Sequence, residues 1–202
     1  AAGADFIVNI SSSPFSEGKS KAREKLILDR VSQIGVPFLY CNLVGGQDEL
    51  IFDGNSVAYS STGKRIASGM AFEEDMVLVD LETDQEVSPV VQTREGELFS
   101  ALTLGIRDYF RKTGHSKCVI GLSGGIDSAL TACLASEALG KENVLCIYMP
   151  SRFNSENSQI DAEKLAAKLD VEYRVIPIGE LTSNYEIVLK NSSTTLKRIL
   201  PM

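Results

Sequence analysis

The sequence predicts an α/β protein in two successive parts, and three observations predict it. The second half alternates strand-like and helix-like segments with a clear rhythm, the pattern of parallel βαβ units. The first half has a strand, an amphipathic helix and then short apolar runs broken by Gly, Asp and Asn, which suggests strands joined by tight turns. Between them lies ETDQEVSPVVQTREGE, polar and acidic, whose shift in composition marks a connector. The expected boundaries are therefore 1–81 for the first part, 82–97 for the linker and 98–202 for the second.

Taken in order, DFIVNI (Asp5–Ile10) reads as a strand, followed by the turn-rich SSSPFSEGKS. In KAREKLILDRVSQIG, Ile27, Val31 and Ile34 recur at i, i+4 and i+7, one face of a helix, with Gly35 and Pro37 as its stop. FLYCN (Phe38–Asn42) is the next strand. VGGQDELIFDGNSVAYSSTGKRIA reads as further short strands and turns, with Asp53-Gly54 as one turn. Gln47, Asp48 and Glu49 form a structural loop in this reading, one suited to a contact between domains. MVLVDL (Met76–Leu81) is expected to be the last strand of the first part. In the second part the expected elements are a helix at 98–113, strand 118–122, helix 128–139, strand 144–148, helix 158–169 and strand 172–178. Ala162, Leu165, Ala166 and Leu169 form the buried stripe of the later helix. The polar, Ser/Thr-rich tail from 182 to 202 has no decisive period and is left unassigned.

The bulk properties limit the function. The chain has 202 residues, 44% of them hydrophobic, a mean hydropathy of +0.01 and a net charge of −7. That is enough chain for one good-sized core or two small ones. The acidic balance argues against nucleic acid and anionic membranes as partners of the whole surface. No run approaches the ~18 apolar residues that a membrane helix needs. The four cysteines, Cys41, Cys118, Cys133 and Cys146, have neither CxxC spacing nor a disulfide framework and read as small core residues in a reducing cytoplasm. His115 is the one histidine, so a His-based triad or multi-histidine metal site cannot be built from this chain. The chain opens at AAGADFIVNI without a methionine, and the expectation is a piece of a longer polypeptide.

VIGLSGGIDSALTACLASEAL (119–139) carries the strongest chemical signal. A strand runs into Ser123, Gly124, Gly125, Ile126, Asp127 and Ser128 and then into a helix. Two residues without Cβ atoms let backbone N–H groups close around an anion, and the helix points its positive end at the same spot. Ser123 and Ser128 add hydroxyl donors. Asp127 would repel a bare phosphate, so it either caps the helix or holds a Mg2+ that bridges phosphates, two compatible roles. The spacing is neither GxxxxGK[ST] nor GxGxxG, and GG-x-D alone would also suit an ordinary tight βα turn. SGGIDS as a whole resembles the PP-loop, the SGGxDS signature of ATP pyrophosphatases. That resemblance implies a loop, Ser123–Ser128, that grips the β,γ-pyrophosphate of ATP, with Asp127 as the catalytic and metal residue.

The next strand ends in MPSRFNSENSQIDAEKLAAKL, and MPSR-(Y/F)-x-S followed by x-S-x-x-D-A is similar to NAD synthetases. In that resemblance Ser151 and Arg152 contribute to the nucleotide pocket; read alone, Arg152 is equally an anion ligand or a surface arginine. NISSSPFSEGKSKAREK and YCNLVGGQDELIFDGNS look like the C-terminal part of the nitrilase-like glutaminase domain that precedes the synthetase domain in the glutamine-dependent branch. The implied architecture is the C-terminal portion of a nitrilase-like αββα sandwich followed by a parallel-sheet PP-loop domain of the adenine nucleotide alpha hydrolase type. The implied reaction is ATP-dependent amidation of deamido-NAD to NAD, with ammonia drawn from glutamine, in a cytoplasmic homo-oligomer. The Glu-Lys-Cys triad of that glutaminase type is expected upstream of Ala1, since none of the four cysteines here precedes Glu-Asp; this chain alone is expected to be inactive. Further metal and deamido-NAD ligands are expected beyond Met202. Ser13 and Lys19 align with positions that contact glutamine, although a turn serine and a solvated lysine would read the same way. Two alternatives remain: another PP-loop ligase or tRNA-modifying enzyme, and a non-catalytic fragment.

Overall fold

The computed structural model describes residues 3–83, 85–152 and 154–191, which divide into two compact units, 1–115 and 116–202. In the first, β1 (Ile7–Ser11) leads into α1 (Lys19–Ile34) and back to β2 (Phe38–Asn42), which lies parallel to β1 with Ile7 opposite Phe38. β3 (Val44–Gln47) and β4 (Leu50–Asp53) form a hairpin, and β5 (Val57–Tyr59) and β6 (Arg65–Ser68) extend the main sheet to the order β1-β2-β5-β6, antiparallel beyond β2. The strand alternation decides which face is filled. Phe38, Tyr40 and Tyr59 turn toward Ile27 and Val31 of α1 and close the core there. On the other face, Ala58, Ile66 and Ala67 are covered by Val79 and Leu81.

The expected strand at 76–81 is not a strand. Residues 76–80 run without ladder hydrogen bonds, and the segment contributes alternate side chains to the sheet while Met76 and Leu78 stand exposed. Its period of two reports burial of one side, which an extended cover satisfies as well as a paired strand does. Cys41 also departs from the expected core position: it is exposed, on the β2 face away from α1.

α2 (Arg94–Thr113) starts four residues before the expected helix because Thr93 caps it, its hydroxyl accepting from Gly96 N at 3.1 Å. The units meet at 115/116, downstream of the connector placed at 82–97, because α2 packs on the β3–β4 hairpin. Gly46 explains that packing. A Cβ there would lie 3.2 Å from Gly105 Cα, so two backbones meet with no side chain between them. Gly46 N donates to the buried Asp108 carboxylate at 2.8 Å, and Lys112 donates to Gly46 O. Gln47 thus ends β3, paired with Leu50, and Asp48 and Glu49 are the turn of a hairpin held against a helix. Ala101, Leu104 and Phe72 fill the space beside it, with Phe15 edge-on to Phe72.

Asp53 is more than a turn residue. It ends β4 fully buried and takes a two-pronged pair from Arg23 of α1, at 2.6 and 3.2 Å. Asn42 and Asn55 donate to the same carboxylate at 3.2 and 2.7 Å. Burial pulls the Arg23 pKa down, but the Asp53 carboxylate outweighs it and holds the guanidinium above its ordinary value. Positive φ falls on both Gly54 and Asn55, and at Gly54 a Cβ would lie 2.6 Å from Val44.

In the second unit β7 (Cys118–Gly121), β8 (Val144–Tyr148) and β9 (Glu172–Val175) form a parallel sheet in that order. α3 (Ile126–Leu139) and α4 (Glu156–Leu169) are its crossovers, packing Ala132, Ala135, Ala162 and Ala166 on Cys146 and Tyr148. Small residues dominate the helix side of this core, so helices and sheet come close. Burial raises the Cys118 and Cys146 thiols above their ordinary range, as suits apolar packing residues. α5 (Gly179–Asn191) occupies part of the tail left unassigned; 192–202 lie outside the described residues.

Asp53→Ala should destabilise the first unit by about 3–5 kcal/mol, because Arg23 would stay buried without its partner. Chemical denaturation of the intact polypeptide checks this; a change below about 1 kcal/mol would mean the pair is dispensable.

Candidate functional site

The loop between β7 and α3 is built by two serines and two glycines. Leu122 N donates to Ile147 O at 2.9 Å, so the strand's pairing runs right up to the loop. Ser123 N then donates to Ser128 Oγ at 3.2 Å, and Ser128 Oγ donates to Gly125 O at 2.9 Å. A hydroxyl has one proton, so in the 3.0 Å contact between the two serine oxygens Ser123 is the donor. Ser123 Oγ in turn accepts from Gly125 N at 3.3 Å. The two hydroxyls tie the loop's start to the first turn of α3.

Gly124 has φ +83, and a Cβ on it would lie 2.2 Å from the carbonyl oxygen of Ser158 on α4. Both facts require glycine at this position: the left-handed backbone, and a neighbouring backbone in the space of a side chain. Gly125 is different. Its φ is −88, its nearest obstacle is Ser123 Oγ at 3.4 Å, and it precedes α3 with no side-chain cap. The Ile126, Asp127 and Ser128 N–H groups therefore open the helix with no acceptor among the described residues. Asp127 is exposed in the first turn, where a carboxylate is favoured by the helix dipole; the alternative that it caps the helix finds no hydrogen bond. Ile126 is 81% exposed at the mouth of the site.

A cavity of about 320 Å³ lies beside the loop, with Leu122, Gly124, Gly125 and Ile126 on one side and Asp161 and Leu165 of α4 on the other. Asp161 was not among the expected site residues. The available signal was the acid in SQIDA, at helical spacing from Ser158 and on the face that turns to the loop. The spacing was visible but its neighbour was not.

Ser151 and Arg152 follow β8, at the carboxyl end of the strand next to β7, on the edge where open parallel sheets bind ligands. Asn154 Oδ1 accepts from the Ser151 N–H at 2.7 Å and from its hydroxyl at 2.8 Å. Arg152 pairs with Glu186 of α5, across an exposed contact. Ser155 caps α4, accepting from Ser158 N at 3.2 Å. Ser13 and Lys19 belong to the first unit. Asn42 clamps the Ser13 backbone, accepting from its N–H at 2.8 Å and donating to its carbonyl at 3.2 Å, while Lys19 Nζ donates to Pro14 O at 2.8 Å. The turn carrying both residues is therefore fixed by the same Asn42 that touches Asp53.

Residues 98–199 match the family model described as NAD synthase. The glutamine-dependent NAD(+) synthetase of Synechocystis sp. is 45% identical over 193 residues, covering 93% of this chain and 35% of that protein. The enzyme of the same description from Thermotoga maritima is 39% identical over 225 residues, covering 93% and 39%. This chain thus spans little more than a third of those relatives. Among solved structures, the glutamine-dependent NAD+ synthetase of Acinetobacter baumannii, in complex with ADP, superposes with a TM-score of 0.85 at 30% identity over 93% of this chain and 37% of that one. The enzyme from Cytophaga hutchinsonii superposes at 0.80 with 20% identity, covering 96% and 39%, which speaks for the fold alone.

Gly124→Ala should cost at least about 2 kcal/mol of stability, adding a strained backbone to a clash. Gly125→Ala should cost under about 1 kcal/mol, since its backbone is ordinary and its surroundings open. Thermal unfolding of the two variants side by side checks the contrast, and equal effects would overturn the assignment of the close approach to Gly124.

Proposed function

This chain belongs to the NAD synthase family, and on that premise we propose that it is part of an enzyme that makes NAD by amidating deamido-NAD at the expense of ATP, with ammonia taken from glutamine. The observation that carries the reading is the β7–α3 loop, where two serines hold the backbone and three successive N–H groups open α3 with no acceptor among the described residues.

In the proposed reaction the nicotinate carboxylate of deamido-NAD attacks the α-phosphorus of ATP, and the bond to the β,γ-pyrophosphate breaks. The departing pyrophosphate gathers negative charge, and the Ile126, Asp127 and Ser128 N–H groups are the donors for it; the Ser123 and Ser128 hydroxyls, expected from the sequence as further donors, spend their protons inside the loop and hold its backbone in place. These groups are placed before reaction, so little reorganisation is needed as charge develops. Ammonia then adds to the activated carboxyl carbon, AMP leaves, and the amide forms.

Magnesium fits this site as a phosphate-bound ion. Among the described residues no cluster of three or more His, Cys, Asp or Glu makes a complete metal cage, but Mg2+ commonly takes one or two carboxylates and completes its shell with phosphate oxygens and water. Asp127, exposed in the loop's helical turn, is the carboxylate that would hold it; bound there, the ion would neutralise phosphate charge.

Residues 1–81 are the C-terminal part of the nitrilase-like glutaminase domain in this reading, with Ser13 and Lys19 at the rim of the glutamine site. A half-buried serine on a clamped turn, beside a lysine, suits the polar ends of an amino acid. A boundary at 82–97, cytoplasmic location, homo-oligomerisation and a nucleotide role for Ser151 and Arg152 belong to the same proposal. For Arg152 that role requires exchanging Glu186 for phosphate, which is feasible because an exposed pair is worth only about 0–1 kcal/mol.

Two experiments on the intact polypeptide test it. Asp127→Asn should weaken Mg2+-dependent ATP binding at least about tenfold, the scale of one charge-assisted contact, with unfolding unchanged; unaltered affinity by calorimetry removes Asp127 from the site. NAD formation should proceed with glutamine or with ammonium, and Ser13→Ala should slow the glutamine-driven reaction alone. Equal losses with both donors would place Ser13 in the fold, and no NAD from either donor in the unmodified polypeptide would reject the reading.

A further inference from the structure

The cavity beside the loop contains a carboxylate for which the reaction above has no task. Asp161 is one turn past Ser158, the residue whose carbonyl occupies the side-chain space of Gly124, so the two helix positions share a face turned to the loop. Asp161 lines the cavity at its solvent-exposed side and has no hydrogen bond or ion pair among the described residues.

The chemistry of the walls selects an occupant. Leu122, Ile126, Ala129, Ala162 and Leu165 are apolar, and moving a phosphate against them strips its hydration. A second anion next to Asp161 adds repulsion. A neutral, largely apolar group that brings its own N–H or O–H suits both the walls and the acid. The volume, about 320 Å³, is at the small end of ligand pockets, which run from roughly 300 to 1,000 Å³. The pocket touches the glycines of the phosphate loop, so a nucleotide held there by its phosphates would bring its nucleoside end to it.

We propose that Asp161 is a specificity-determining residue of the nucleotide site, its carboxylate accepting a hydrogen bond from the nucleoside end of the bound nucleotide. The donor is a ribose hydroxyl or the amino group of the base. This rests on the phosphate-loop reading and extends it: the loop binds any polyphosphate, and Asp161 distinguishes what is attached.

The test is calorimetric binding to the intact polypeptide and to its Asp161→Ala and Asp161→Asn variants, using Mg2+ with ATP, 2′-deoxy-ATP, 3′-deoxy-ATP, inosine triphosphate and inorganic pyrophosphate. Asp161→Ala should weaken ATP about tenfold, equivalent to about 1.4 kcal/mol, and leave pyrophosphate within about twofold. The analogue that lacks the partnered group should bind the unmodified polypeptide about tenfold more weakly than ATP and lose nothing further in the variant. Insensitivity of a deoxy analogue assigns the ribose, and insensitivity of the inosine analogue assigns the base. The near-isosteric Asp161→Asn keeps the test valid if alanine disturbs the helix. The proposal is overturned if the variants bind ATP as the unmodified polypeptide does, if ATP and pyrophosphate weaken together, or if every nucleotide weakens equally. Failure of the underlying reading looks different: the unmodified polypeptide would then bind neither pyrophosphate nor ATP.

Discussion

The carbonyl of Ser158 stands where residue 124 would carry its side chain, and the organisation of the second unit depends on that contact. It sets the distance between the loop after β7 and the helix after β8, so two successive βα turns are joined through bare backbone. Ser155 fixes the start of α4, and the Ser123–Ser128 pair fixes the start of α3. Neither helix can shift without opening the contact at Gly124. The small residues lower in the same helices keep both close to the sheet, so the loop rests on packed material. In the proposed reading this loop has its geometry before any anion arrives, which is what would make its electrostatics effective.

An acidic protein with net charge −7 is an unpromising anion binder at long range. At short range the balance reverses, because unpaired helix N–H groups and aligned peptide dipoles act over the first turn alone, where a surface carboxylate elsewhere is screened within ~8–10 Å. Asp127 and Asp161 then have distinct physical settings. The first stands at the open end of a helix, where in the proposed reading a cation would share it with phosphate. The second, itself exposed, lines a cavity whose other walls are largely apolar, which in the proposed reading favours a neutral donor.

The first unit uses a buried charge for a comparable purpose. Asp53 joins α1, through Arg23, to the end of β2, through Asn42, and Asn42 holds the backbone of Ser13. With four donors on two oxygens, the carboxylate has its desolvation offset in every direction that matters. The turn bearing Ser13, Pro14 and Lys19 is consequently held from below by the core and not by its own sequence. Glu24 does a smaller version of this: burial pushes its carboxyl upward, and the Tyr59 and Arg65 donors more than reverse it, holding its pKa below the usual range.

The sequence by itself determined the strand–helix alternation, α1 and its glycine stop, and the loop SGGIDS at a helix mouth. Each is a local matter: periodicity, an αL residue and a run of residues without side chains act within a few positions of the chain. It left undetermined whether Met76–Leu81 pairs or merely covers, because alternation records burial and is blind to hydrogen-bond partners. The start of α2 and its attachment to the β3–β4 hairpin were equally hidden, since Gly46 meets Gly105 and Asp108 across about sixty residues of chain. Asp53 read as a turn because its neighbours Gly54 and Asn55 do turn, while its own partner sits thirty residues away. Tertiary structure alone placed Asp161 against the loop and gave Gly124 its second reason to be glycine. Both depend on the approach of α4, and an interhelical distance is a property of packed cores that no stretch of sequence contains.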